Sequence, residues 1–244
     1  MKLTCLFSAS DSGFSSACLL FDPMTSSRPQ LAPSPRESFI CGQTFENWAQ
    51  LLGHQHVAGI DEVGRGALFG PVCSAAVILD LDKLPVGIDD SKKLSPKQRE
   101  VLAEKIRDTA LDFSIAFVEA RVIDEINILQ ATFEAMRQAI RGLRRAPEYL
   151  LCDALIIPGC TILQRSIIKG DAQSVSIAAA SILAKVERDR LVCGLDAKYP
   201  GYDLANNMGY GTEKHLKALS ALGPTDLHRR TFRGVVVDSP IPGC

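Results

Sequence analysis

Two short apolar segments that each end on an acid constrain this chain more than any other feature. Val57-Ala58-Gly59-Ile60-Asp61 and Tyr149-Leu150-Leu151-Cys152-Asp153 both read as strands closing on a carboxylate. Open α/β sheets place their chemistry at strand ends, where a side chain leaves the core and meets solvent. Glu62 follows Asp61 directly, and Asp171 stands in Lys169-Gly170-Asp171 between a strand and a helix. Successive strand residues face opposite ways, so Asp61 and Glu62 share a site only if the strand ends or bulges there. Gly64 and Gly66, just downstream, supply such a break. A cluster of carboxylate oxygens suits a hard cation such as Mg²⁺ or Mn²⁺. Taken singly, each acid reads more readily as a solvated turn residue.

The rest of the chain supplies a frame for such a site. Phe45 to Leu52 is expected to form a short amphipathic helix, and Val72 to Leu79 and Leu111 to Val118 two further strands. Ser95-Pro96-Lys97-Gln98 carries a capping serine, a proline at the first helical position and a glutamine that completes a capping box. That helix should run to about Asp108. The helical periodicity from Ile123 to Arg141 predicts two helices meeting near Asn127. Gln164 to Ile168 reads as a short strand, Ser176 to Asp196 as a long helix and Thr212 to Leu222 as another. Strands first, then strands alternating with helices, give an α/β sheet covered by helices.

Residues 1–44 are rich in Ser and Pro and are expected to form a disordered extension, with Met1 and Met24 both available as starts. An ordered domain over 45–235 and a flexible tail over 236–244 follow. The eight cysteines are scattered, with no Cys-x-x-Cys pair, which favours a reducing compartment and no zinc site. No segment reaches the ~20 apolar residues of a membrane span, and the N-terminus makes a poor signal peptide, so the expected location is cytoplasmic. The net charge of −1 advertises no basic field, although Arg137, Arg141, Arg144 and Arg145 cluster. Carboxylates and a basic footprint cancel in such a sum, so it excludes no nucleic-acid enzyme. Nothing in the sequence marks an oligomer face, and a monomer is expected.

Ala58-Gly59-Ile60-Asp61-Glu62-Val63-Gly64-Arg65-Gly66 resembles the opening signature of the ribonuclease HII family. Asp90-Ser91-Lys92-Lys93-Leu94-Ser95, Asp124 to Leu129, Ala146 to Tyr149, Lys169-Gly170-Asp171 and Ala179 to Asp189 resemble further family segments. Gly209-Tyr210-Gly211-Thr212 with His215, and His228 to Phe232, complete the series in order from Val57 to Phe232. The resemblance implies a ribonuclease H-like mixed sheet flanked by helices, with a helical C-terminal portion. It implies an endonuclease that hydrolyses the RNA strand of RNA–DNA hybrids and nicks 5′ of ribonucleotides embedded in duplex DNA. It further implies two divalent ions, Mn²⁺ or Mg²⁺, on Asp61, Glu62, Asp153 and Asp171, with Asp61 bridging.

For the substrate, the resemblance points to Gly64, Arg65, Gly66 and Tyr210 as readers of the 2′-hydroxyl, the one position at which RNA and DNA differ chemically along the sugar. Ser91, Lys92, Lys93, Ser181 and Lys185 are expected at phosphates, with plain helix packing as the alternative for Ser181. Arg229 and Arg230 could hold backbone or pair with local acids, and the sequence leaves that open. Two positions depart from the usual pattern: Ala154 where a glycine commonly follows the third acid, and Met208 where a lysine commonly precedes Gly-Tyr. A ribonuclease HIII-like enzyme, a silent hybrid-binding protein and a general phosphodiesterase on the same fold are the competing readings. The first ~45 residues are too poor in core residues for an extra substrate-binding domain, and a silent binder has no need of four acids.

Overall fold

A computed structural model of the chain describes residues 41–88, 91–92 and 94–235. Residues 1–40 of the expected extension and the whole of the expected tail, 236–244, lie outside these residues, as do Asp89, Asp90 and Lys93. The described elements run α1 (Thr44–Leu51), β1 (Val57–Val63), β2 (Val72–Ile78), α2 (Pro96–Thr109) and β3 (Asp112–Val118). They continue with α3 (Ala120–Ile126), α4 (Ile128–Arg141), β4 (Tyr149–Asp153), β5 (Leu163–Ile167), α5 (Val175–Gly194), α6 (Leu204–Asn207) and α7 (Glu213–Leu222). The strands form one mixed sheet in the order β3-β2-β1-β4-β5. β1 pairs antiparallel with β2 and parallel with β4, which in turn pairs parallel with β5.

Local chemistry accounts for most boundaries. Ser95 caps α2 in a full capping box with Gln98, and Pro96 occupies the first turn, where its missing N–H leaves nothing unpaired. Asn127 separates α3 from α4: it sits at φ 68°, and its side chain accepts from the N–H groups of Leu129 and Gln130. Thr212 caps α7 through the N–H of His215. The four-residue helix α6 and the 3₁₀ turn Gly170–Ala172 escape the sequence reading because neither is long enough to show a period.

Helices cover both faces of the sheet. On one face Cys73, Ala75 and Val77 of β2 pack with Ala179, Ile182 and Leu183 of α5 and with Leu102 and Ile106 of α2. On the other, Ala58, Ile60, Ala76 and Ile78 meet Phe133, Met136 and Ile140 of α4. A separate cluster, Leu68, Phe69, Val192, Tyr202, Leu204 and Leu219, joins the C-terminal helices to the loop after β1. Cys73 and Cys152 are buried, and burial pushes the Cys152 thiol up to about 12, so both behave as small apolar side chains.

The contact that sets α5 against β1 is unusually close. A Cβ on Gly59 would lie 2.0 Å from the Ser176 carbonyl carbon and 2.4 Å from the Ile177 nitrogen. Backbone, which cannot rotate away, fills the space. Gly59→Ala must therefore push α5 off the strand two residues before Asp61. We expect a loss of about 3 kcal/mol in urea denaturation, and a wild-type midpoint would show that this packing can relax.

Candidate active site

The register of β1 explains how its two acids come together. β1 continues in regular antiparallel pairing with β2 through Asp61↔Ala75, Glu62↔Ser74 and Val63↔Cys73. There is no bulge, contrary to the expectation that a break is needed. On the other side its parallel pairing with β4 stops at Ile60↔Cys152, so Asp61 and Asp153 are the next residues on adjacent strands, about 4.8 Å apart in backbone. Asp61 lies on the α5 face, and Glu62, on the α4 face, can turn round the end of β4. β5 reaches Asp153 through Asp153↔Ile167, and Asp153 Oδ1 accepts from the Gly170 N–H at 2.7 Å. That bond ties down the 3₁₀ turn that carries Asp171.

Asp61, Glu62 and Asp153 line a cleft of about 400 Å³ with Ser91, Lys92, Arg99, Ser181, Lys185 and Tyr210, while Asp171 is joined to that lining through Lys92. Asp61 is 5% exposed. Burial first, then the neighbouring charges of Glu62 and Asp153, hold its carboxyl well above the usual range, against hydrogen bonds from the Ser181 hydroxyl and the Glu62 N–H. Burial also raises Glu62, opposed mainly by Arg65, whose Nη1 lies 3.0 Å from Oε1. Glu62 Oε2 is buried with no hydrogen-bond partner. Asp171, buried, holds the exposed Lys92 ammonium at 2.6 Å.

Among the described residues, no three acid, His or Cys side chains are already drawn together as a metal cage. The acids instead hold Arg65, the Gly170 N–H and Lys92. The donor set nevertheless fits a hard cation: oxygens only, mutually repelling, with one orphaned carboxylate oxygen.

A sequence model of the ribonuclease HII family matches residues 58–235. Ribonuclease HII of Geobacter sulfurreducens is 51% identical over 191 residues, 78% of this chain and 88% of that protein. The chain belongs to the ribonuclease HII family. It is an endonuclease of the ribonuclease H type, a family whose substrates are RNA–DNA hybrids. Ribonuclease H2 of Pyrococcus horikoshii superposes with a TM-score of 0.62 at 29% identity, covering 73% of this chain and 94% of that one. Ribonuclease HII of Archaeoglobus fulgidus, solved in complex with PCNA, gives 0.60 at 31% identity, covering 71% and 91%.

Seen as a ribonuclease HII, the molecule places its sequence-predicted residues unevenly. Gly64 sits at φ +88°, and a Cβ there would lie 2.0 Å from Arg188 Nε. Gly66 has open space around it. Ser91 and Ser181, both buried, face each other at 2.9 Å between their hydroxyls. Lys185 pairs with Asp189 at 2.9 Å, and its Nζ stands 5.7 Å from the centre of the Tyr210 ring. Ala154 adopts φ 50°, which explains physically why glycine suits that place. Met208 is likewise left-handed, at φ 50°, and its carbonyl is held by Arg188.

Three arginines matter more than their sequence positions announce. Arg99 Nη1 donates to the carbonyls of Ser91 and Leu94 and shapes the loop beside the cleft. Arg188, fully buried, donates to the carbonyls of Phe69, Pro71 and Met208. Arg229, also fully buried, donates to those of Gly70 and Arg65, so it holds backbone, while the Arg230 N–H donates to Asp124. Burial and the Arg188 cation push Arg229 down to about 9, which leaves it charged at neutral pH. Arg188 stands among Lys185, Glu187, Asp189 and Arg190 on α5, so its residue type alone does not set it apart from its charged neighbours.

The raised Asp61 carboxyl has a consequence for stability. Folded protein holds the proton more tightly than the unfolded chain, so without metal stability falls as pH rises from the ordinary carboxylate range through the folded value. Asp61→Asn should therefore stabilise the metal-free protein at pH 7.5 by about 1 kcal/mol or more, roughly 2–4 °C in Tm. Adding Mn²⁺ should raise the Tm of the wild type more than that of the variant. A thermal melt in chelator in which the variant is the less stable protein would contradict this electrostatic account.

Proposed function

We propose that the chain nicks on the 5′ side of a ribonucleotide embedded in duplex DNA, as well as hydrolysing the RNA strand of hybrids, and leaves 3′-hydroxyl and 5′-phosphate ends. Asp61, Glu62, Asp153 and Asp171 would hold two divalent ions, Mg²⁺ or Mn²⁺. The observation that carries this reading is the buried Asp61 carboxyl beside Glu62 and Asp153, with the unpartnered Glu62 oxygen next to it. When bound, the ions activate the attacking water and neutralise the leaving oxygen. We place the protein in the cytoplasm as a monomer; no described helix is long and apolar enough to cross a membrane.

The chain's own residues bind and orient. Gly64, Arg65 and Gly66 present backbone to the ribose, held from behind by Arg188 and Arg229. The Tyr210 ring faces the following sugar and favours one that lacks a 2′-hydroxyl. Lys92, Lys93 and Lys185 meet phosphates, which fix position without reading sequence. Lys92 and Lys185 leave Asp171 and Asp189 to do so. Ser181 links Asp61 to Ser91 and so holds the 91–92 segment against β1.

Two outcomes test this. A DNA duplex with a single ribonucleotide should be nicked 5′ to it by the wild type with Mg²⁺ or Mn²⁺ and left whole by Asp61→Asn, whereas pure DNA and pure RNA duplexes should survive both. Absence of nicking in either metal would sink the embedded-ribonucleotide reading. Tyr210→Ala should slow cutting at the single ribonucleotide about tenfold or more relative to a uniform hybrid, the scale of lost positioning.

A further inference from the structure

The carbonyl of Tyr210 is tied to a buried histidine pair. His215 lies in the first turn of α7, and His228 in the segment after it; they are 0% and 1% exposed. Their Nε2 atoms are 3.0 Å apart. His215 Nδ1 lies 2.9 Å from the Tyr210 carbonyl oxygen, and the Thr225 N–H donates to His228 Nδ1 at 2.9 Å. The rings of Phe69 and Tyr202 close round the pair.

The proton positions follow from the two ends of this chain. A backbone N–H can only donate, so His228 Nδ1 accepts from Thr225 and the His228 proton sits on Nε2. A carbonyl can only accept, so His215 donates from Nδ1 and its Nε2 is bare. The two assignments, made independently, meet as one donor and one acceptor across the 3.0 Å contact. An imidazolium at either position would set two donors against each other or against Thr225. Burial, His215 and Arg230 push His228 down to about 4, opposed by Asp226, and burial lowers His215 against its bond to Tyr210. Tyr202 is the further titratable side chain packed against the pair; Tyr210 meets it through its carbonyl alone.

We propose that His215 and His228, as a neutral relay running from Thr225 to Tyr210, are positioning residues for recognition of the ribonucleotide. The Tyr210 carbonyl accepts from His215 and also from the Thr212 N–H at 2.8 Å. Tyr210 pairs with Ala67 of the Gly64–Gly66 loop's exit, and Leu68 N–H donates to Gly209 at 2.8 Å. The relay thus fixes the backbone of the residue whose ring stands over the cleft, one pairing step from the loop that presents backbone to the ribose. The inference rests on the reading of Tyr210 as the sensor of the neighbouring sugar.

The test compares His215→Asn with His215→Gln. Asparagine can offer an N–H near the place of Nδ1 and keeps the bond to Tyr210. Glutamine reaches towards His228 and gives up that bond. The readout is the cutting rate at a single embedded ribonucleotide divided by the rate on a uniform hybrid, with Tm measured alongside. We expect His215→Asn to keep most of the wild-type ratio and His215→Gln to lower it about tenfold, with no further fall when Tyr210→Ala is added. If both amides lower the ratio equally, or only in step with Tm, the pair is structural and the inference fails. If Tyr210→Ala lowers the ratio while His215→Gln leaves it at the wild-type value, the inference fails and the Tyr210 reading stands. If Tyr210→Ala leaves the ratio unchanged, the Tyr210 reading fails and takes the inference with it.

Discussion

The parallel pairing of β1 with β4, and its end at Ile60↔Cys152, is the constraint on which the site depends. It puts Asp61 beside Asp153 at the end of β4 and leaves β1 projecting two residues further, held by β2 alone. Glu62 can then reach round the tip of β4 although it belongs to the opposite face. The pairing in turn needs α5 to lie almost on the backbone of β1, which Gly59 permits. Burying an acid beside like charges is costly: burial first, and the charges of Glu62 and Asp153 after it, raise the Asp61 carboxyl. Arg65, Lys92 and the Gly170 N–H offset part of it.

A second layer carries no acid at all. Arg188 and Arg229 reach five main-chain carbonyls between them, across the loop after β1 and the turn before Tyr210. Buried guanidinium groups are expensive to desolvate, and a set of carbonyl dipoles in fixed directions compensates only if the loops stay where they are. The arrangement is therefore self-reinforcing: the cations hold the loops, and the loops solvate the cations. Gly64 leaves the room that Arg188 occupies. The histidine pair ties the same turn to the far side of α7, so the Tyr210 turn is fixed from two directions by neutral and charged donors.

Much of this was legible in the sequence where the signal is local. The capping box at Ser95, the break at Asn127 and the closing of β4 on Asp153 are short-range patterns present in the fold, whereas β1 runs two residues past Asp61 to Val63. Asp61 and Asp153 stand out because each follows an apolar run, but singly each also reads as a turn residue, and it is the ordered motifs around them that pick out all four acids. Arg188, Arg229 and the His215–His228 pair were far less legible. The two arginines meet carbonyls 20 to 164 positions away, the two histidines stand 13 apart, and a carbonyl acceptor leaves no mark on residue type. Arg229 was left between holding backbone and pairing with acids because both fit an exposed or a buried arginine equally well.

The sequence by itself determined the sheet's strands, the main helix starts, the family and which carboxylates follow apolar runs, since these follow from periodicity, capping chemistry and ordered motifs. Tertiary structure alone decided how adjacent acids on opposite faces of β1 come to one cleft, because that depends on where the neighbouring strand stops. It also decided that Ser181 faces Ser91 and Asp61, that Lys92 rests on Asp171, and that two arginines and two histidines support the turn of Tyr210. Those arrangements depend on which distant backbone groups each side chain meets once the helices are packed, and no local pattern encodes that meeting.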